Sequence, residues 1–150
     1  MNNIIEQQGD VPNSGSQQAW VVFSGQADLP WLRFFKPGFR HCYVLMNDGS
    51  HWITLDPLSS HMDVQVHHVP QDFDMPRWLK SRGLCVMRAD LSRVEKPAPW
   101  MAFTCVEAVK RVLGLHKRLI FTPWQLYRHL IKIKQQSLTM KEKGDFAWEV

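Results

Sequence analysis

The chain has 150 residues, of which 45% are hydrophobic and 21% charged. That is the composition of one globular domain with a real core, and it excludes a disordered or low-complexity polymer. The net charge is a mild +4, and no aromatic-interleaved recognition motif accompanies the Lys/Arg excess between Lys110 and Lys143. The excess reads as a solvated face, and no nucleic-acid partner is expected.

In chain order, residues 1–18 are polar and rich in Asn, Gln and Gly, and are expected to form a flexible arm. They lack the basic and apolar regions of a signal peptide. The run AWVVF at 19–23 predicts a strand, followed by a loop. HCYVLMNDGSHWITLDP predicts two strands around Asp48-Gly49, a strong hairpin signal. MDVQVHHV (62–69) continues the meander, DMPRWLKSRG (74–83) predicts a short helix, and LCVMRADL (84–91) another strand. VEKPAPW (94–100) is a linker. A helix then starts at Cys105, and TPWQLYRHLIKIK (122–134) is a second, with a T-x-x-Q box and Pro123 at its first position. Residues 135–150 are expected to be a mobile tail. The expected fold class is α+β: one domain over residues 19–134, an antiparallel meander with helices packed beside it. No apolar run reaches the length of a membrane span. Cys42, Cys85 and Cys105 are an odd number with no C-x-x-C pair, so neither a disulfide framework nor a zinc site is indicated. A cytoplasmic protein with reduced thiols is expected.

Thr104 and Glu107 have the T-x-x-E spacing of a capping box, which makes Thr104 the N-cap and Cys105 the first helical residue. Ala102, Cys105, Val106, Val109, Val112 and Leu113 form one apolar stripe, with Glu107, Lys110 and Arg111 away from it. Gly114 suits the position just past the helix end. A thiol at a helix N-terminus lies in the positive end of the macrodipole, which favours thiolate. A cysteine that merely belongs to the core stripe would occupy the same position, so the hairpin matters. If Asp48 and Gly49 are the central pair of a type I′ turn, His41 faces Asp56, Tyr43 faces Thr54 and Leu45 faces Trp52 on one side of the sheet. A carboxylate opposite an imidazole fixes its tautomer and stabilises the imidazolium. A surface ion pair at a sheet end would look the same. Together, however, the thiol, the ring and the carboxylate are the parts of a Cys-His-Asp nucleophilic site: Cys105 nucleophile, His41 general base and acid, Asp56 orienter.

The rival constellations are thinner. His51, His61, His67 and His68 show no metal-ligand spacing, and adjacent histidines on a strand point to opposite faces, so no metal is expected. No glycine-rich phosphate loop is present, and no cofactor is expected.

The pattern His41, Trp52, Leu55, Asp56, Pro57 is similar to the transglutaminase-type hairpin of papain-like cysteine hydrolases. TCVEAVKRVLGL followed by TPWQLYRHL resembles the nucleophile helix and succeeding helix of NlpC/P60-type proteins. With His41 and Asp56 before Cys105, the order resembles the circularly permuted NlpC/P60 branch over about residues 20–130. The resemblance implies a permuted papain-like architecture and a thiol-dependent hydrolase or acyltransferase. Its substrate would be an amide or ester, peptide or peptidoglycan-type amides first. The alternative is a catalytically inactive papain-like binding or structural module. Two features depart from the pattern: permuted members often have a second histidine or another polar residue as the third member where this chain has Asp56, and no glutamine closely precedes Cys105. The side-chain oxyanion donor is then either missing or supplied from elsewhere, for instance the Gln26 loop, and the Cys105 backbone N–H remains as one donor.

Overall fold

A computed structural model describes residues 18–26, 30–92 and 100–145, with side chains to residue 140. The proposed arm lies outside the described residues apart from Gln18, and the linker apart from Trp100. Five strands form one antiparallel sheet: β1 (Gln18–Ser24), β2 (His41–Asn47), β3 (Trp52–Pro57), β4 (Met62–His67) and β5 (Cys85–Ala89). Their order is β4-β3-β2-β1-β5, so β2, β3 and β4 make the expected meander, β1 extends it beside β2, and β5 closes on the free side of β1. The α-helices are α1 (Met75–Ser81), α2 (Cys105–Val112) and α3 (Pro123–Asp145), and a 3₁₀ helix spans Pro30–Phe34. The α+β class is therefore as expected.

Strand alternation divides the core between the two faces of the sheet. Ala19, Val21, Phe23, Cys42 and Val44 pack with Val106, Val109 and Leu113 of α2 and Leu126 and Leu130 of α3. On the other face Val22, Leu45, Trp52 and Val86 pack with Met75 and Leu79 of α1. Helix α1 is short because Asp74 caps its start, accepting the Arg77 N–H at 2.9 Å, and Gly83 follows it at φ +83°.

Four expectations need correction. The β2–β3 register pairs Val44 with Leu55, Leu45 with Thr54 and Asn47 with Trp52, two residues away from the expected pairing. The centre of the turn is Gly49-Ser50, not Asp48-Gly49. Asp48 Oδ1 accepts the N–H groups of Ser50 and His51, each at 2.7 Å, and its own N–H bonds the His51 carbonyl. A type I′ turn needs two positive φ angles, and only Gly49 has one here. The aspartate side chain thus acts as the acceptor that opens the turn, a role Asp favours.

The capping box at α2 is half formed. Thr104 Oγ1 accepts the Glu107 N–H at 3.2 Å, but Glu107 turns its carboxylate to Lys110 Nζ at 2.7 Å and Arg111 Nε at 3.1 Å. Glu107 and Lys110 are buried, not solvated, because the chain after α2 folds back over them, and Lys110 Nζ also reaches the Ile120 carbonyl. The end of α2 is as expected. Gly114 at φ +70° gives the Schellman pair, with Leu115 N–H to Lys110 O at 2.8 Å and Gly114 N–H to Arg111 O at 3.2 Å.

Helix α3 has the full T-x-x-Q box. Gln125 N–H bonds Thr122 Oγ1, and Gln125 Oε1 accepts the N–H groups of Phe121 and Thr122. It runs past its expected end at Lys134 to Asp145. Residues 135–140 are exposed and hold neither proline nor glycine, so their polarity marks a solvent-facing helix, not a helix end.

Candidate functional site

Cys105 is the first residue of α2, placed by the Thr104 cap, and His41 is the first residue of β2. By strand parity His41 belongs to the α1 side of the sheet, with Tyr43 and Leu45. As the residue that opens the strand, however, it stands at the sheet's end, where its ring reaches both Asp56 and the start of α2. His41 Nε2 meets Asp56 Oδ1 at 2.6 Å, with both side chains partly buried. The contact survives the changed register because a shift of two residues keeps side chains on the same face. Asp56 becomes the diagonal neighbour of His41, a separation that these side chains span.

Nε2 is committed to Asp56, so Nδ1 is the nitrogen available to the Cys105 sulfur, which hydrogen-bonds the ring. A third group completes the arrangement. Cys42 is wholly buried on the α2 face of β2, and its thiol hydrogen-bonds the Cys105 sulfur. Sequence reading gave Cys42 no role. One signal was present: residue 42 follows His41 and points to the opposite face, the face that an amphipathic α2 must cover.

The electrostatics follow from these contacts. The Cys42 hydrogen bond pulls Cys105 toward the thiolate; burial opposes it, and the His41 hydrogen bond and charge assist. The thiol falls from its ordinary value to about 5. For His41, burial disfavours the charged ring, but hydrogen bonds and charge from Asp56 and Cys105 outweigh it and raise the ring to about 9. Burial, with the Cys105 hydrogen bond and charge behind it, pushes the Cys42 thiol well up, so it remains a proton donor. Burial and the Asp56 charge raise Tyr43 to about 12, so the phenol beside the pair stays neutral. Near neutral pH the site therefore holds a thiolate beside an imidazolium.

Neither a family model, nor a curated protein, nor a solved structure matches this chain. What the site can do is read from its own chemistry. Cys105 and His41 open into a cleft of about 170 Å³ with Trp31, Leu32, Phe35, Phe103 and Phe121 among its walls. Its lining hydroxyls are Ser59 and Thr104, and Thr104 already accepts the Glu107 N–H. The Cys105 backbone N–H, in the first turn of α2, has no intrahelical acceptor and is aligned with the helix dipole. Gln26, the expected side-chain oxyanion donor, lines a different groove. That groove, about 420 Å³, holds Tyr43, Asp56, Asp63 and Trp78 but not Cys105.

Three of the other histidines have partners of their own away from the cleft. His67 Nε2 bonds Thr54 Oγ1 at 2.7 Å, His61 bonds Ser60, and His51 lies beside Asp48 in the hairpin turn. Among the described residues no three His, Cys, Asp or Glu side chains converge as metal ligands do.

Proposed function

We propose that the protein is a thiol-dependent hydrolase or acyltransferase of permuted papain-like, NlpC/P60-type architecture, acting on an amide or ester. The observation that carries the proposal is the His41–Asp56 pair at 2.6 Å, with His41 and the helix-start Cys105 lining one cleft. A purely structural cysteine has no need of a charged partner at its sulfur, whereas a nucleophile at neutral pH does.

In this reading the Cys105 thiolate attacks the carbonyl carbon. The developing oxyanion takes a hydrogen bond from the Cys105 N–H and a second from the Ser59 hydroxyl. The His41 imidazolium gives its proton to the departing amine or alcohol as the C–N or C–O bond breaks, leaving an acyl-thioenzyme. Neutral His41 then takes a proton from water or from an acceptor amine, which attacks the thioester and returns the thiolate. Asp56 holds the ring by Nε2 and stabilises its positive charge throughout. The aromatic walls favour an apolar group beside the scissile bond. Peptide or peptidoglycan-type amides are the first substrate class to examine.

The test is to incubate the protein with an activated ester and weigh it intact. Acylation of wild type at Cys105, its loss in Cys105→Ala, and slow release of the acyl group support the proposal. One observation favours the rival reading of an inactive module: Gln26 is not at the cleft, so no carboxamide serves the oxyanion. That reading expects no acyl adduct at any pH.

A further inference from the structure

Six exposed large apolar side chains stand on three of the segments that form the cleft. Trp31, Phe103 and Phe121 line it and are each more than half exposed. Phe34, Trp100 and Leu119 stand on the same three segments and are 92%, 96% and 82% exposed. None of these three fills the core. Exposed apolar patches of this kind mark interaction sites.

The same segments carry charge of one sign. Arg33, Lys36, Lys117 and Arg118 are exposed on them, and residues 30–36, 57–61, 100–104 and 116–122 contain no Asp or Glu. Lys36 Nζ rests 3.2 Å from the centre of the Trp124 ring, which anchors one of these cations to the body of the protein.

We propose that this rim seats on the surface of an anionic phospholipid bilayer, with the mouth of the Cys105 cleft turned toward the lipid. Aromatic side chains enter the interfacial region readily, and basic residues beside them are drawn to anionic headgroups. Two features favour this partner over others. A second copy of the chain would set four cations against four. A nucleic acid would satisfy the cations but leave Phe34 and Leu119 without a groove of bases to stack in. The docking does not depend on turnover. Only its consequence, that the substrate is presented at a membrane, rests on the function proposed above.

The test is co-sedimentation of the full chain with vesicles of phosphatidylglycerol and phosphatidylcholine, and with phosphatidylcholine alone. Wild type is expected to bind the anionic vesicles, to bind neutral ones more weakly, and to release as salt rises. Each lost cation weakens binding about five-fold, so the double variant Lys117→Glu/Arg118→Glu weakens it at least about 25-fold. Trp100→Ser/Leu119→Ser is expected to weaken it about ten-fold or more while leaving Cys105 alkylation in solution unchanged. Cys105→Ala is expected to bind as wild type does, so loss of acylation and loss of docking are separate results. Failure of wild type to sediment with anionic vesicles overturns the proposal. So does binding by both double variants equal to that of wild type, or binding to a DNA duplex in preference to the vesicles.

Discussion

Replacing Cys42 by alanine removes a side chain that touches no solvent and, in the proposed chemistry, no substrate. Its thiol nevertheless makes the leading contribution to the ionisation of Cys105. A hydrogen bond to a charged group contributes about 1.5–3 kcal/mol, and about 1.4 kcal/mol corresponds to one pH unit. The midpoint of Cys105 ionisation should therefore rise by about 1–2 pH units in Cys42→Ala. Near pH 5, where half of the wild-type thiol is ionised, the thiolate fraction falls about 5- to 50-fold; near pH 8 it falls by about a tenth or less. The assay is the second-order rate of alkylation of Cys105 by iodoacetamide across pH, with the adduct located by peptide mass. Cys42→Ser, which keeps a donor, should stay close to wild type. An unchanged profile in Cys42→Ala would refute the reasoning. A uniform fall at every pH would refute it too, because that signals damaged packing and not a lost hydrogen bond.

Activity toward an amide or ester should trace a bell against pH, rising through about 5 as Cys105 ionises and falling through about 9 as His41 loses its proton. Both limbs belong to the coupled pair, and a single rise near the ordinary thiol value would contradict the assignment. Asp56→Asn should alkylate nearly as fast as wild type but turn over at least about 100-fold more slowly, because the amide orients His41 without stabilising its positive charge; parallel losses in both assays would point to misfolding. Lys110→Met should destabilise the fold by about 1–3 kcal/mol in chemical denaturation, since it strips the buried partner from Glu107 and leaves only Arg111 on the carboxylate. Adding Glu107→Leu should recover part of that loss, and a double variant worse than the sum of the singles would contradict the ion-pair account.

The strands and helices were legible because their signals are local: period-two apolar runs, a T-x-x-E and a T-x-x-Q spacing, a glycine after each of the first two helices. The side of the sheet shared by His41 and Asp56 was legible for the same reason, since parity needs only sequence separation. Register was not. It depended on whether Asp48 sat inside the turn or closed it with its carboxylate, and Asp serves in either place. The contact between the two catalytic candidates tolerated that error because the shift was two residues and not one. The role of Cys42 and the burial of Glu107 and Lys110 depend on how α2 lies on the sheet and on what covers it, and one-dimensional spacing carries no such information. The expectation for Gln26 failed similarly. Proximity to the β1 end did not say which of two grooves its side chain would enter.

The central claim is that Cys105 rests as a thiolate paired with protonated His41. Thiolate absorbance near 240 nm measures this without any substrate. Wild type minus Cys105→Ala should show one thiolate at about pH 7, titrating away near pH 5, and in His41→Ala that signal should move up toward the ordinary thiol value of about 8.5. A difference spectrum with no thiolate below about pH 8, or one that His41→Ala leaves unchanged, would contradict the account.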